Sequence, residues 1–221
     1  MNIDFWYTLT KKILSKNQQG YVSPLDFNTF INQAQLMYLD YLLGEFQQYQ
    51  YQKPVPRVQF GMNQQVRQSL TPLIVETNLT VDGTGLSAYP SDFQQVDSML
   101  ATGRKAIRYY QQHQEDAFVN SRIDPIASNP IYKITDDGFL FDPISIGTAT
   151  LSYVKTPPDI KWAYTPDANG RPLYDPVNSV DPVWYDMDMG EVLSRTLRML
   201  GVSLQAPQVS QYANEIKNVG Q

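Results

Sequence analysis

The sequence predicts an α+β fold, with helices at both ends and an antiparallel sheet between them. Three observations carry this reading. Apolar residues recur at three- and four-residue spacing from Ile3 to Phe46 and again from Val192 to Leu200. Between Leu73 and Lys155 the chain changes to short β-branched and aromatic runs separated by Gly, Asp and Pro turns. A run of strands bracketed by helices is the order of an α+β protein, whose terminal helices can pack together as one bundle.

Taken in order, Ile3, Trp6, Leu9 and Ile13 form one apolar stripe, and Asn17 to Gly20 ends that first helix. Ser23-Pro24 is a helix start, a hydroxyl N-cap followed by a proline where no amide hydrogen is needed. Phe27, Phe30, Ile31, Ala34, Met37, Tyr38, Tyr41, Leu42 and Phe46 sustain the period to about Gln50. That stripe is broad, so the helix should meet more than one neighbour. Lys53 to Pro56 is a stiff break, and a third helix is expected from Val58 to about Leu70.

Leu73 to Val81 reads as a strand, and Asp82-Gly-Thr-Gly85 as the turn of a hairpin leading to Leu86 to Tyr89. Pro90 to Phe93 turns into a strand from Val96 to Leu100. Ala106 to Tyr110 fits strand or helix, and its aromatic content favours strand. Gln114 to Arg122 reads as a short helix. Ile131 to Ile134, Asp136-Asp-Gly138 and Phe139 to Phe141 form the clearest hairpin. From Ser145 to Lys155, Ala149, Leu151 and Tyr153 alternate with Thr148, Thr150 and Ser152. Residues 156–186 are Pro-rich and read as an extended arm, whose Ile160, Trp162, Tyr164, Leu173, Tyr174 and Trp184 need somewhere to dock. Two helices close the chain, one from about Asp188 to Gly201 and one from near Pro207 with Val209, Tyr212, Ile216 and Val219. The expected organisation is N-terminal helices over 1–72, a β-rich region over 73–155, the arm over 156–186 and C-terminal helices over 187–221, one structural unit overall.

A charged fraction of 18% lies below the roughly 25% of soluble domains, so much of the surface should be neutral and polar. Such a surface is easier for a partner to cover, because burying an unpaired charge costs far more than burying an amide. The net charge of −5 argues against a general nucleic-acid binder. Arg104, Lys105 and Arg108 gather locally, as a solvated strand face. With no Cys, disulfides, Cys-ligated zinc and thiol nucleophiles are excluded. With one His, His113, most His-based metal sites and triads go too. No apolar run approaches a membrane span and no signal peptide is expected, so folding in the cytoplasm is the default.

Little else suggests chemistry. Asp167 to Gly170 and the pair Asp186 and Asp188 are the candidates for a cation, but neither has the spaced oxygen ligands of a calcium loop. Turn and cap roles account for both. Asp136 and Asp137 sit at a hairpin tip, a wet place that does not separate pKa values as catalysis needs. Asp82 to Gly85 lacks the spacing of a phosphate loop. Neither catalytic, cofactor nor metal residues are assigned. The aromatics remain, at element ends or in the arm, where Tyr and Trp often meet a partner. Trp162, Tyr164, Tyr174, Trp184 and Tyr185 are the interface candidates, with a carbohydrate-binding or host-adhesion module as the alternative use of such rings.

Several segments, taken together, resemble a known group. They are Tyr21-Val-Ser-Pro-Leu-Asp-Phe27, the Asp82 to Gly85 turn leading to Tyr89-Pro-Ser-Asp-Phe93, Asn129-Pro-Ile-Tyr132 with its Asp-Asp-Gly turn, and Leu151-Ser-Tyr-Val-Lys-Thr-Pro-Pro158. This set, with the C-terminal helices, resembles connector or ring proteins between portal and tail in the crAss-like tailed phages. The resemblance spans nearly the whole chain and rests on order and turn motifs. It implies a virion protein of the neck between capsid and tail, forming a ring, often twelve-fold, with the portal and other neck proteins as partners. It also implies that packaged DNA passes through the lumen without sequence-specific binding. It carries no active-site residues.

Overall fold

The computed structural model describes residues 1–16, 21–51, 57–101, 103, 105–111, 125–126, 128–203, 211 and 214–215. The helix expected over Gln114 to Arg122, His113 and Arg104 lie outside these residues, as does the helix expected from Pro207 apart from Gln211, Asn214 and Glu215. The fold is α+β. In chain order come α1 (Ile3–Lys16), α2 (Pro24–Tyr51) and α3 (Arg57–Leu70), then a single 3-10 turn (Thr71–Leu73). Next are β1 (Ile74–Thr80), β2 (Leu86–Ser87), β3 (Phe93–Ala101), β4 (Lys105–Ala106) and β5 (Arg108–Tyr109). β6 (Ile131–Ile134), β7 (Phe139–Asp142), β8 (Thr148–Lys155), β9 (Tyr164–Pro166), β10 (Pro172–Tyr174) and α4 (Asp186–Ser203) follow. Where the sequence suggests one structural unit, the chain divides into two compact ones, Met1–Pro72 with Pro157–Gln221, and Leu73–Thr156.

In the first unit α1 and α2 start where the sequence places them. Asn2 Oδ1 accepts the Phe5 N–H at 3.1 Å at the head of α1. Ser23 Oγ accepts the Asp26 N–H at 3.1 Å and donates back to the Asp26 carboxylate at 2.7 Å, a reciprocal cap with Pro24 as first helical residue. The buried side of α1 is rotated from the expected stripe. Ile3, Trp6, Tyr7, Thr10 and Leu14 are buried, while Leu9 and Ile13 are only half-buried. The Thr10 hydroxyl is satisfied by the Trp6 carbonyl at 2.8 Å, which lets a polar side chain sit in the core. α2 meets α3 and α4, as its broad stripe implies. Phe27, Ile31, Ala34, Tyr38 and Leu42 turn inward with Met189, Val192, Leu197 and Leu200 of α4 in the same unit's core.

The Pro-rich segment is bound by α2 through side-chain amides. Asn28 donates to the Trp162 carbonyl at 3.1 Å and accepts its N–H at 2.8 Å. Asn32 does the same for Ile160, at 2.9 and 2.8 Å. Gln35 donates to the Pro158 carbonyl at 3.1 Å. The match is geometric. Four helical residues rise about 6 Å and two extended residues about 6.6 Å, so amides at i, i+4 and i+7 meet alternate backbone positions of an extended chain. Helix side chains thus take the place of a neighbouring strand. Beyond Ala163, β9 and β10 form a two-stranded hairpin closed by the Asp167 to Gly170 turn.

Among the described residues the second unit holds two four-stranded sheets, ordered β1-β8-β3-β4 and β2-β7-β6-β5, and their strand pairs are antiparallel except β5 with β6. The β6–β7 hairpin forms as expected. The hairpin expected around Asp82 to Gly85 does not. β1 pairs with β8 over seven residues and β2 pairs with β7, so the turn sends the chain from one sheet to the other. The turn itself is real: Asp82 Oδ1 accepts the N–H of Thr84 at 2.8 Å and of Leu86 at 2.9 Å. One core, with Leu79, Met99, Leu151 and Tyr153 from the first sheet and Tyr132, Phe139 and Phe141 from the second, serves both. Alternation on β8 places Ala149, Leu151 and Tyr153 in that core as predicted.

Candidate functional site

The five aromatics singled out for an interface divide. Trp162 and Trp184 are 3% and 4% exposed. Trp162 packs on Tyr7 with ring centroids 4.2 Å apart, and its indole N–H donates to Asp4 at 3.0 Å. Trp184 sits edge-on to Tyr38 at 5.1 Å. The expectation that these two rings face a partner is therefore corrected: each is packed within its own unit. The arm's extended start also lies against its own α2 and does not reach outward there. Tyr164 and Tyr185 remain open at 48% and 52% exposure, and Tyr174 is half-buried. Tyr164 and Tyr174 face one another across β9 and β10, and each stacks on Trp162 at 5.9 Å.

A second feature is the outer side of α2. Its exposed residues over 24–44 are Leu25, Asp26, Thr29, Gln33, Leu36, Met37, Asp40, Tyr41 and Gly44. Four are large and apolar, and two are charged. Met37 and Tyr41 belong to the helical stripe in sequence, yet they point out. The side of α2 that binds the Pro-rich segment escaped sequence reading, although Asn28, Asn32 and Gln35 at i, i+4 and i+7 were its visible signal.

Several polar groups are committed to structure. Asp188 Oδ1 accepts the Tyr38 hydroxyl at 2.8 Å and the Ser69 hydroxyl at 2.9 Å, tying α4 to α2 and α3. Burial, and then the Asp188 carboxylate, push the Tyr38 phenol well above its ordinary value. Tyr7 is raised by burial and then by its neighbours Tyr21 and Tyr164. Asp167 Oδ1 accepts the N–H groups of Asn169 and Arg171 at 2.8 Å each, the turn role expected for it. The Thr84 hydroxyl and backbone N–H groups hold the Asp82 carboxyl below its usual range. Among the described residues no group of three His, Asp or Glu could hold a metal ion, and no helix is long and apolar enough to cross a membrane. A pocket of about 220 Å³ in the second unit is lined by Tyr110, Ile131, Lys133, Leu140, Asp142 and Ile144 among others. It is smaller than the roughly 300–1,000 Å³ of ordinary ligand sites.

The arrangement therefore offers surfaces. No protein-family model matches the chain, and no match is found among curated proteins.

Proposed function

We propose that the chain is a structural subunit of a tailed-phage virion, a connector in the neck that joins portal to tail as one member of a ring. The observation that supports it best is the outer side of α2, where Leu36, Met37 and Tyr41 are exposed beside few charges. Apolar surface of this kind is what a subunit contact covers, and the resemblance of the turn motifs supplies the setting. In this reading α1, α2 and α4 form a helical bundle. Residues 156–186 act as an arm whose outward part is the β9–β10 hairpin, with Tyr164 and Leu173 exposed. A ring needs a head-to-tail contact whose rotation closes, and two separate surfaces, helix face and hairpin, provide the two halves of one. The net charge of −5, with 22 Asp and Glu against 17 Lys and Arg, suits a lumen past which DNA slides without being held by its phosphates.

The test is a phage carrying Met37→Asp with Tyr41→Asp. Both side chains are exposed and Tyr41 gives up only its stack on Tyr38 and its contact with Arg195, so the purified variant should stay folded, with a loss of no more than about 2 kcal/mol, while full, tailed particles fall at least ten-fold and tailless heads accumulate. Normal yields of infectious particles from the variant, or from a phage lacking the gene, would refute the reading. The stacked Tyr164, Trp162 and Tyr174 favour a second reading, a carbohydrate-binding or adhesion module. Saturable binding of host glycans by the isolated chain, lost in Tyr164→Ala, would select it instead.

A further inference from the structure

β1 is an edge strand. It pairs with β8 from Ile74 to Thr80 without a register shift. One step beyond, the Val81 N–H donates to the Gly147 carbonyl at 3.1 Å. Along an antiparallel ladder hydrogen-bonded and non-hydrogen-bonded pairs alternate. Counting back from Val81, Val75, Thr77 and Leu79 direct their backbone groups to β8. Ile74, Glu76, Asn78 and Thr80 therefore direct theirs away. The Thr150 hydroxyl donating to Asn78 at 3.0 Å fits this phase, because side chains approach most closely in non-hydrogen-bonded pairs.

Among the described residues no strand takes up that outer edge. Proteins guard such edges with brevity, Pro, Lys or bulges. β1 has seven residues, Ile-Val-Glu-Thr-Asn-Leu-Thr, with one charge and none of those devices. The far side of the same sheet is different. There β3 carries two register shifts, and β4 covers only its last residues.

We propose that the β1 edge docks β1 of a second copy of this chain, antiparallel and centred on Thr77. The sequence is self-complementary in that register. Val75 meets Leu79, Thr77 meets Thr77, and Glu76 meets Asn78, so the single carboxylate faces an amide. The outward-facing Ile74, Glu76, Asn78 and Thr80 then fall in hydrogen-bonded pairs, giving about eight backbone hydrogen bonds across the pair. A slip of two residues one way sets Glu76 against Glu76, and in either direction it shortens the ladder. The pairing is isologous and distinct from the head-to-tail contacts of a ring, so it joins free subunits and does not depend on the connector reading.

The absence of cysteine makes the test clean. Across the two-fold the Thr77 Cα atoms lie about 4.5 Å apart, within disulfide range. The full-length chain with Thr77→Cys, oxidised with glutathione disulfide, should form covalent dimer at least ten-fold faster than Val177→Cys, which places a thiol at a position 87% exposed elsewhere. Mixing Glu76→Cys with Asn78→Cys should give the mixed dimer in preference to either homodimer, a register test that needs no destabilising change. The unmodified chain should sediment as a concentration-dependent dimer, and Glu76→Lys with Asn78→Lys should sediment as a monomer. A monomer at all concentrations, with Thr77→Cys linking no faster than Val177→Cys, would overturn the proposal. Crosslinking without the Glu76–Asn78 preference would overturn its register. Neither outcome bears on whether the virion contains the protein.

Discussion

Replacing Asn32 by Ala tests whether a helix can substitute for a strand. Asn32 holds both backbone groups of Ile160, and Ile160 is 1% exposed. The substitution leaves a buried N–H and a buried carbonyl without their partner, at about 1–3 kcal/mol each. It also removes the acceptor for Gln35 Nε2 at 2.9 Å. The expected destabilisation of the first unit is about 2–6 kcal/mol, which at a urea slope of about 2 kcal/mol/M lowers the midpoint by about 1–3 M. The readout is specific, because all three tryptophans, Trp6, Trp162 and Trp184, lie in that unit. Tryptophan fluorescence during urea unfolding therefore follows the first unit alone. Thr29→Ala, on the exposed side of the same helix, is the control and should move the midpoint by less than about 0.5 kcal/mol equivalent. A change in Asn32→Ala no larger than the control's would refute the reasoning, since the ladder would then hold nothing that the packing of Trp162 and Ile160 does not already hold.

Two further outcomes follow from the second unit and from the buried phenols. Gly138→Ala should destabilise the second unit by at least about 2 kcal/mol, because its φ is 153° and a Cβ would strike the Ser87 carbonyl; an unchanged midpoint by circular dichroism would show that the β2–β7 crossing can give way. Tyr7 and Tyr38 are raised above the ordinary value of 10, and Tyr132 is pushed up to about 12 by burial and then by Tyr109. A raised folded value means that their contribution is fully present below pH 10 and is lost as pH rises from 10 toward the folded values. Titration at 295 nm should accordingly show a fraction of tyrosines ionising late and together with unfolding; smooth titration of all of them near pH 10 in the folded protein would contradict their burial.

The sequence carried α1 to α4 and the β6–β7 hairpin because those rest on local rules. The Ser23-Pro24 start and the Asp-Asp-Gly turn each fix a few backbone angles whatever the rest of the chain does. The pairing of β1 was not legible for the opposite reason. Asp82 to Gly85 specifies a turn, but which strand β1 joins depends on β8, some seventy residues later in the chain. Trp162 and Trp184 misled through composition. An aromatic in a Pro-rich stretch looks available, and only Tyr7 and Tyr38, brought up by α1 and α2, show that the rings are already covered. The small shift of the buried stripe on α1, from Leu9 and Ile13 to Tyr7, Thr10 and Leu14, has the same origin. Periodicity gives a stripe, and the neighbouring elements decide which side of it is inside.

The low charge of the chain also changes meaning once α2 is seen from both sides. Its Asn and Gln content first implies a neutral surface for partners to cover, yet Asn28, Asn32 and Gln35 spend their amides on the chain's own backbone. Charged side chains could not have replaced Asn28 and Asn32, because each of these donates and accepts across one residue's backbone, as a carboxylate or an ammonium cannot, whereas Gln35 only donates. The same helix then keeps Leu36, Met37 and Tyr41 outside. Tyr41 still stacks on Tyr38 and meets the Arg195 guanidinium, while Leu36 and Met37 are left open. A helix that holds its own extended segment on one side with amides, and leaves apolar side chains on another, keeps these two features on different residues. If the connector proposal holds, substitutions at Met37 act on assembly while substitutions at Asn32 act on folding.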